Sequence, residues 1–413
     1  MSKVKDNSSD EKRVSAFGFF ILWFGAAVSI AEMFTGSLLA PLGFSRGVQA
    51  ILLGHLIGVI ILGLTGIIGS DKRIPALVST RISFGRYGSY GFSILNILQL
   101  LGWTGVMIIS GARSVNEISK ILWNFNNQVF WSVIIGLLIC LWILAGIKKI
   151  NKVNLIAVGL LLILTVFLSI VIFRTPGVTG SMAGDGISFG AAVELSVVMP
   201  LSWLPLISDY TRYSRSRKGG FWGSAGGYFL GSCWMYIIGL GAAIFTGSSD
   251  PSSILLALNF GIAALAIVVL STVTTTFLDA YSAGVSFINI RTYANEKLTA
   301  LVMAVLGTLV AIIIPIEQYQ NFLYAIGSVF APLFAILLTD YFIFKKTYID
   351  NKKNFYVTNT CIWILGVVIY QKFSTVDFFL GSTLPVMVIT GLLCIIFKGV
   401  VRKWTLLKSA QQR

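Results

Sequence analysis

Charge is what this chain has least of. Lys, Arg, Asp and Glu make up 11% of its 413 residues, whereas 56% are hydrophobic and the mean hydropathy is +0.85. That balance excludes a soluble domain of this size, because runs of about 20 apolar residues are what a helix needs to cross a bilayer. Histidine is nearly absent, with His55 alone. Cys140, Cys233, Cys361 and Cys394 fall in four different apolar runs, with neither CxxC nor Cys/His spacing. A disulfide framework and a thiolate or imidazole metal site are therefore not indicated. HExxH, Walker A and GxSxG are missing, and no nucleotide-binding domain accompanies the apolar part. The pattern disfavours an enzyme, and a channel would want a charged pore ring that the sequence does not supply. Transport driven by a gradient is the reading that remains.

The segment Met1 to Arg13 is polar, mixed in charge and lacks a cleavable-signal pattern. Twelve spans follow, at about 17–41, 48–69, 90–114, 129–147, 153–173, 189–208, 221–246, 259–290, 298–315, 320–344, 358–371 and 378–398. Net charge is +15, which could suggest nucleic acid, but its distribution points elsewhere. Of the 31 Lys and Arg residues, 26 lie in the two tails and the even-to-odd loops, and only Arg46, Arg113, Lys120, Arg174 and Lys372 lie on the other side. This is the positive-inside asymmetry. It predicts a multi-pass protein of the plasma (inner) membrane with both termini cytoplasmic, contacting the lipid bilayer and no nucleic acid.

Two spans are irregular at corresponding places. The first carries Gly25-Ala26-Ala27-Val28-Ser29-Ile30-Ala31-Glu32 in mid-membrane, and the sixth carries Pro200-Leu201-Ser202-Trp203-Leu204-Pro205. Backbone leaves a helix inside a bilayer only where protein or a water-filled cavity satisfies it. Broken helices five spans apart are the pattern of inverted repeats with a binding site between them. The expected organisation is a tail (1–16), a first repeat of helices 1–5 (17–173), a second of helices 6–10 (189–344), two added helices (358–398) and a C-terminal tail (399–413). Small residues four apart, Ala50-Gly54-Gly58 and Gly219-Gly223-Gly227-Gly231, predict close helix packing.

Candidate binding residues cluster around these breaks. In span 3, Gln99 and Trp103 are four apart and share a helix face. An amide beside an aromatic plane suits a planar heterocycle with ring nitrogens and exocyclic groups, and Trp203 supplies a second plane. Span 8 holds five hydroxyls over six positions, Ser271, Thr272, Thr274, Thr275 and Thr276. Hydroxyls with freed carbonyls would make an all-oxygen site for Na⁺, although hydroxyls in apolar helices also bond back to their own helix. Intramembrane acids are functional candidates, and Glu32, Glu194 and Asp279 are the most central. Each could bind a substrate N–H, accept a coupling proton or pair internally. Asp209 and Asp340 lie nearer helix ends, where capping suffices. His55 on an apolar face reads as a packed, hydrogen-bonded residue more readily than as a relay.

Arg81-Ile82-Ser83-Phe84-Gly85 between helices 2 and 3 resembles the R-x-S-F-G loop of the nucleobase:cation symporters, family one. Gly102-Trp103-x-Gly105 and Asp209-Tyr210-Thr211-Arg212-Tyr213 are similar to that family's motifs in order and spacing. The resemblance covers about residues 15–400, within the cytosine permease branch and especially its hydroxymethylpyrimidine (thiamine precursor) transporters. It implies an all-α membrane protein with a five-plus-five inverted repeat of the LeuT type, broken at helices 1 and 6. It also implies Na⁺ as coupling ion, with H⁺ as the alternative, bound by carbonyls near Gly25 and Val28 and the hydroxyls of Ser271, Thr274 and Thr275. The substrate, a small heteroaromatic, would meet Ser29, Gln99, Trp103, Ser202, Trp203 and the stretch from Thr276 to Asp279, with Glu32 or Asp279 bonding its nitrogens. Relatives often place asparagines near Thr276, and the cytosine permeases place the glutamine three before the Trp rather than four. These departures favour a modified pyrimidine over cytosine itself; other nucleobases, and more remotely amino acids or amines, are the alternatives.

Overall fold

The computed structural model describes residues 13–145, 147–174, 186–257, 261–291, 293, 295–315, 318–350 and 352–411; the side chains of 147–154, 257, 274, 278, 285, 296 and 400–411 are set aside. The described chain is helical, in the order α1 (Ala16–Ala27), α2 (Ile30–Ser37), α3 (Phe44–Lys72), α4 (Ala76–Ser79), α5 (Arg81–Trp123), α6 (Gln128–Ala145), α7 (Ile147–Arg174), α8 (Phe189–Leu201), α9 (Leu204–Thr211), α10 (Arg217–Thr246), α11 (Pro251–Ala257), α12 (Gly261–Ile288), α13 (Glu296–Ile313), α14 (Tyr319–Leu338), α15 (Val357–Phe373) and α16 (Thr383–Gln411). Among the described residues, eight helices are long and apolar enough to cross a membrane, and the pair α1–α2, bent by 59°, makes a ninth span. The shorter apolar helices Lys297–Ile313 and Thr383–Gly399 and the 17-residue α15 occupy the other expected spans.

The small-residue ridges set the helix pairing. Gly54 and Gly58 of α3 face Ser196 and Pro200 of α8, and Gly223, Gly227 and Gly231 of α10 face Ala16, Phe20 and Phe24 of α1. A Cβ on Gly231 would lie 2.8 Å from the Phe24 carbonyl oxygen, so only glycine lets the two backbones approach this closely. α12 packs mainly on α5, and α3 and α10 also pack together. The result is a core of α1–α2, α3, α8–α9 and α10 beside the α5–α12 pair, with α15 and α16 against α14.

One boundary differs from expectation. The Arg81–Gly85 segment, read as a loop, is the first turn of a 43-residue α5, kinked at Gly85 (φ 75°, ψ −175°). This φ favours glycine, and a Cβ there would meet the Asn354 carbonyl oxygen at 2.7 Å. Either side of it, Tyr87 N–H donates to Asn354 O at 2.9 Å, and Tyr356 N–H donates to Phe84 O at 3.3 Å. The motif is therefore a docking point for the segment leading into α15.

Candidate functional site

Two helix breaks face the middle of the bundle. At the first, Ser29 is extended (φ −140°, ψ 156°) and its Oγ accepts from Glu32 N–H at 3.4 Å, capping α2. Ser29 N–H itself turns to the Ala27 carbonyl at 2.9 Å. The N–H groups four residues beyond Gly25 and Val28 are those of Ser29 and Glu32, and both bond elsewhere. The two carbonyls expected to bind a cation are thus released from helical pairing.

The second break is tighter than its prolines predict. Ser202 (φ −58°, ψ −20°) and Trp203 (φ −89°, ψ −8°) form a near-helical turn, and residues 189–211 remain one 23-residue span. Pro205 has no N–H to give Leu201, and Leu206 N–H bonds Trp203 O at 3.0 Å instead of Ser202 O. The freed Ser202 carbonyl accepts from Gln99 Nε2 at 2.7 Å. Gln99 Nε2 also reaches Asn96 Oδ1 at 3.2 Å, so both amide hydrogens are used and its buried Oε1 has no partner.

Between the breaks lies a cavity of about 50 Å³. Ser29, Glu32, Gln99, Trp103, Ser202, Trp203 and Asp279 all line it, as does Thr275 from the expected cation set. Thr276 does not; it is fully buried and its hydroxyl donates to Thr272 O at 2.6 Å. Neither indole stacks on the other. Trp103 is braced by Phe322 (ring centroids 5.4 Å apart) and Tyr319 (6.0 Å), Trp203 by Trp23 (5.4 Å, nearly perpendicular). Asp279 faces the cavity with no hydrogen bond or ion pair among the described residues. Glu32 lines the wall, but its oxygens are engaged by Tyr228 Oη (2.5 Å) and Ser232 Oγ (2.6 Å). Tyr228 is the polar lining residue that sequence reasoning missed; its signal was an aromatic one position from the α10 glycine ridge.

For the cation set, Ser271 is buried, and Thr275 Oγ1 donates to Ser271 O at 2.8 Å, leaving its lone pairs available. The Thr274 side chain lies outside the described residues. No group of three or more His, Cys, Asp or Glu that could hold a metal ion occurs among the described residues.

Contacts bridge the helices on both sides of the cavity. At the basic end, Val14 pairs with the segment after α9 (Val14 N–H to Tyr213 O, 2.9 Å; Arg215 N–H to Val14 O, 3.0 Å), Arg73 binds the carbonyls of Arg212 and Ser214, and Asp71 pairs with Arg217 at 2.9 Å. At the other end, Tyr319 Oη and Thr35 Oγ1 are 2.7 Å apart and Arg113 pairs with Asp250 at 3.5 Å.

Residues 8–392 match the family described as permease for cytosine/purines, uracil, thiamine, allantoin. The chain belongs to this permease family. The cytosine permease of Escherichia coli (strain K12) is 26% identical over 348 residues, covering 82% of this chain and 80% of that protein. In shape, the chain resembles Mhp1, a nucleobase-cation-symport-1 family transporter, in its inward-facing conformation (TM-score 0.78, 21% identity, 96% of this chain and 92% of Mhp1). It is nearly as similar to Mhp1 closed with bromovinylhydantoin bound (0.77, 22%, 95% and 93%). A Na⁺-coupled sialic acid symporter shares the fold (0.65, 15%, 93% and 88%). The fold is thus the all-α LeuT-type transporter fold, and the protein is a multi-pass membrane transporter, not an enzyme.

The permease's other intramembrane candidates have structural partners. Glu194 accepts from Ser382 N–H (2.6 Å), Thr383 N–H (2.8 Å), Thr383 Oγ1 (2.7 Å) and the Tyr370 hydroxyl, so it caps the start of α16. Asp209, in the third family motif, accepts from Ala76 N–H at 2.9 Å and caps α4. Asp340 accepts from Asn359 Nδ2 at 3.1 Å and pairs with Lys398.

Proposed function

We propose that this permease imports a pyrimidine, with hydroxymethylpyrimidine the first choice, coupled to Na⁺ by alternating access across the plasma membrane, both termini in the cytoplasm. The polarity of the cavity carries this reading. Its unengaged groups, Gln99 Oε1 and the Asp279 carboxylate, are both acceptors, set beside two indoles. A ring with an exocyclic amino group and a hydroxyl would present donors to both acceptors while its faces meet Trp103 and Trp203. Cytosine, with an amino group and a ring N–H, is the second reading, favoured by the likeness to a cytosine permease.

Na⁺ would sit at the Gly25 and Val28 carbonyls with the hydroxyls of Ser271, Thr274 and Thr275; the released carbonyls of the α1–α2 break support this placement. Coupling would follow because Na⁺ would stabilise the outward-open, substrate-competent state, so that substrate and cation favour the same conformation and each raises the other's affinity. The deciding experiment is uptake of labelled hydroxymethylpyrimidine, cytosine and uracil into proteoliposomes, with and without an inward Na⁺ gradient. Saturable, Na⁺-dependent uptake of hydroxymethylpyrimidine that cytosine competes with weakly, lost in Asp279→Asn, is the expected result. Preference for cytosine or uracil, each of which also offers two donors, would reassign the substrate; equal uptake in Asp279→Asn would overturn the two-acceptor reading, and Na⁺-independent uptake steep in pH would reassign the coupling ion.

A further inference from the structure

A continuous chain of hydrogen bonds joins the cavity to the lone histidine. Trp203 Nε1 lies 3.1 Å from Tyr228 Oη, and Tyr228 Oη 2.5 Å from Glu32 Oε1. Ser232 Oγ lies 2.6 Å from Glu32 Oε2 and 2.5 Å from His55 Nε2, while His55 Nδ1 lies 2.9 Å from the Ile51 carbonyl oxygen. Glu32, His55, Tyr228 and Ser232 are all buried.

Elementary chemistry fixes most of the protons. An indole nitrogen can only donate, so Tyr228 accepts from Trp203 and spends its own proton on Glu32. A carbonyl can only accept, so His55 Nδ1 carries a hydrogen. Ser232 then has one proton for two neighbours. If His55 is neutral, its Nε2 is an acceptor, Ser232 must donate to it, and Glu32 must be a carboxylic acid donating to Ser232. If Glu32 is ionised, Ser232 donates to it, and Nε2 must be protonated, making His55 an imidazolium. The two arrangements hold the same number of protons and no net charge. Remove one proton, and two acceptors compete for a single hydroxyl, leaving one of them unpaired in an apolar interior.

No cation is at hand to compensate a bare carboxylate: among the described residues, no Lys or Arg pairs with Glu32. The other titratable groups facing the relay are Tyr228, Cys233 and Tyr236 of α10, whose Tyr236 ring lies 4.6 Å from that of His55, with Tyr319 of α14 and Asp279 of α12 across the cavity. None of these can supply positive charge.

We infer that the permease in this conformation holds one exchangeable proton on the Glu32–Ser232–His55 relay, a proton-binding site separate from the proposed all-oxygen cation site. The relay joins α2, α10 and α3 and reaches the Trp203 platform through Tyr228. Proton binding therefore stabilises this arrangement of α2, α3 and α10, and forming the arrangement raises proton affinity by the same factor.

Because His55 is the single histidine, its ring can be observed alone. The test is nitrogen NMR of the full-length, substrate-free protein in lipid nanodiscs, labelled at histidine and purified through a histidine-free tag. Wild type should show a protonated Nδ1, with Nε2 either a hydrogen-bonded acceptor or protonated, and alkaline titration should shift the Nε2 signal in one step. Glu32→Gln keeps an acceptor for Tyr228 and a donor for Ser232 but has no proton to lose, so the step should vanish. Ser232→Ala should also abolish it by cutting the relay. A ring bare at Nδ1, or a titration unchanged in both variants, overturns the inference. The substrate reading stands or falls separately, since the ring is read without substrate.

Discussion

Gln99 Nε2 donates to the Ser202 carbonyl oxygen at 2.7 Å, and this contact decides which end of the amide the cavity sees. A flipped amide would set oxygen against oxygen, so the orientation is fixed by the break at Pro205. Gln99→Ala should remove the cavity's acceptor and orphan the Ser202 carbonyl together. Losing a partner to a buried polar group costs about 1–3 kcal/mol, roughly a 5- to 150-fold rise in substrate Kd. Gln99→Glu should do worse, because a carboxylate cannot donate to Ser202. Substrate Kd from tryptophan fluorescence quenching checks both; near-native affinity in Gln99→Glu would refute the fixed orientation.

The two indoles should not be equivalent. Aromatic stacking on a base is worth about 1–3 kcal/mol per ring, so Trp103→Ala and Trp203→Ala should each weaken substrate binding by about 5-fold or more. Both should leave Na⁺ affinity, measured without substrate, nearly unchanged. Trp203→Phe is the discriminating variant: it keeps a ring but loses the N–H that holds Tyr228 at 3.1 Å. It should bind substrate better than Trp203→Ala yet worse than wild type, whereas Trp103→Phe, which gives up no hydrogen bond among the described residues, should come closer to wild type.

The sequence makes the site's position legible and leaves its polarity obscure. Broken spans announce themselves through Pro200, Pro205 and the small residues around Gly25, because a bilayer tolerates such interruptions only at a cavity. Gln99 and Trp103 are readable as a pair because helical spacing puts them on one face. Which end of Gln99 faces the substrate is not readable, since Ser202 lies 103 residues away. Tyr228 was missed for a related reason: the glycines beside it explain α10 as packing, and its tie to Glu32 spans 196 residues. The prolines also overstated the second break, because Ser202 and Trp203 can stay close to helical dihedrals while the Ser202 carbonyl, left free by Leu206 N–H, is satisfied from α5.

Glu194 should behave as part of the scaffold. Ser382, Thr383 and Tyr370 supply its donors, and the cavity it borders, of about 150 Å³, is separate from the one between the indoles. Glu194→Ala would leave several buried donors unpaired, an expected loss of about 3 kcal/mol or more in stability. A large fall in melting temperature with unchanged substrate Kd in the surviving folded fraction is the expected result. A changed Kd with unchanged melting temperature would give Glu194 a functional role instead.

Lys346, between α14 and α15 and outside the spans, offers a pH signature with a definite sign. Burial pushes its ammonium from 10.5 down to about 8, with Lys398 adding to the effect while Asp340 and Asp350 oppose it; its Nζ sits 3.6 Å from the centre of the Tyr356 ring. The folded value lies below the unfolded one, so between them the unfolded chain binds more protons and stability must rise with pH. Below about 8 both states are protonated and the burial penalty is fully present. Melting temperature in detergent should therefore climb from about 8 towards 10.5, and Lys346→Met should flatten that climb and raise stability at neutral pH. Lys353→Gln, at an exposed neighbour, should leave the profile as it is. A climb that persists in Lys346→Met would assign it to another group and leave the Lys346 ammonium unpenalised by its surroundings.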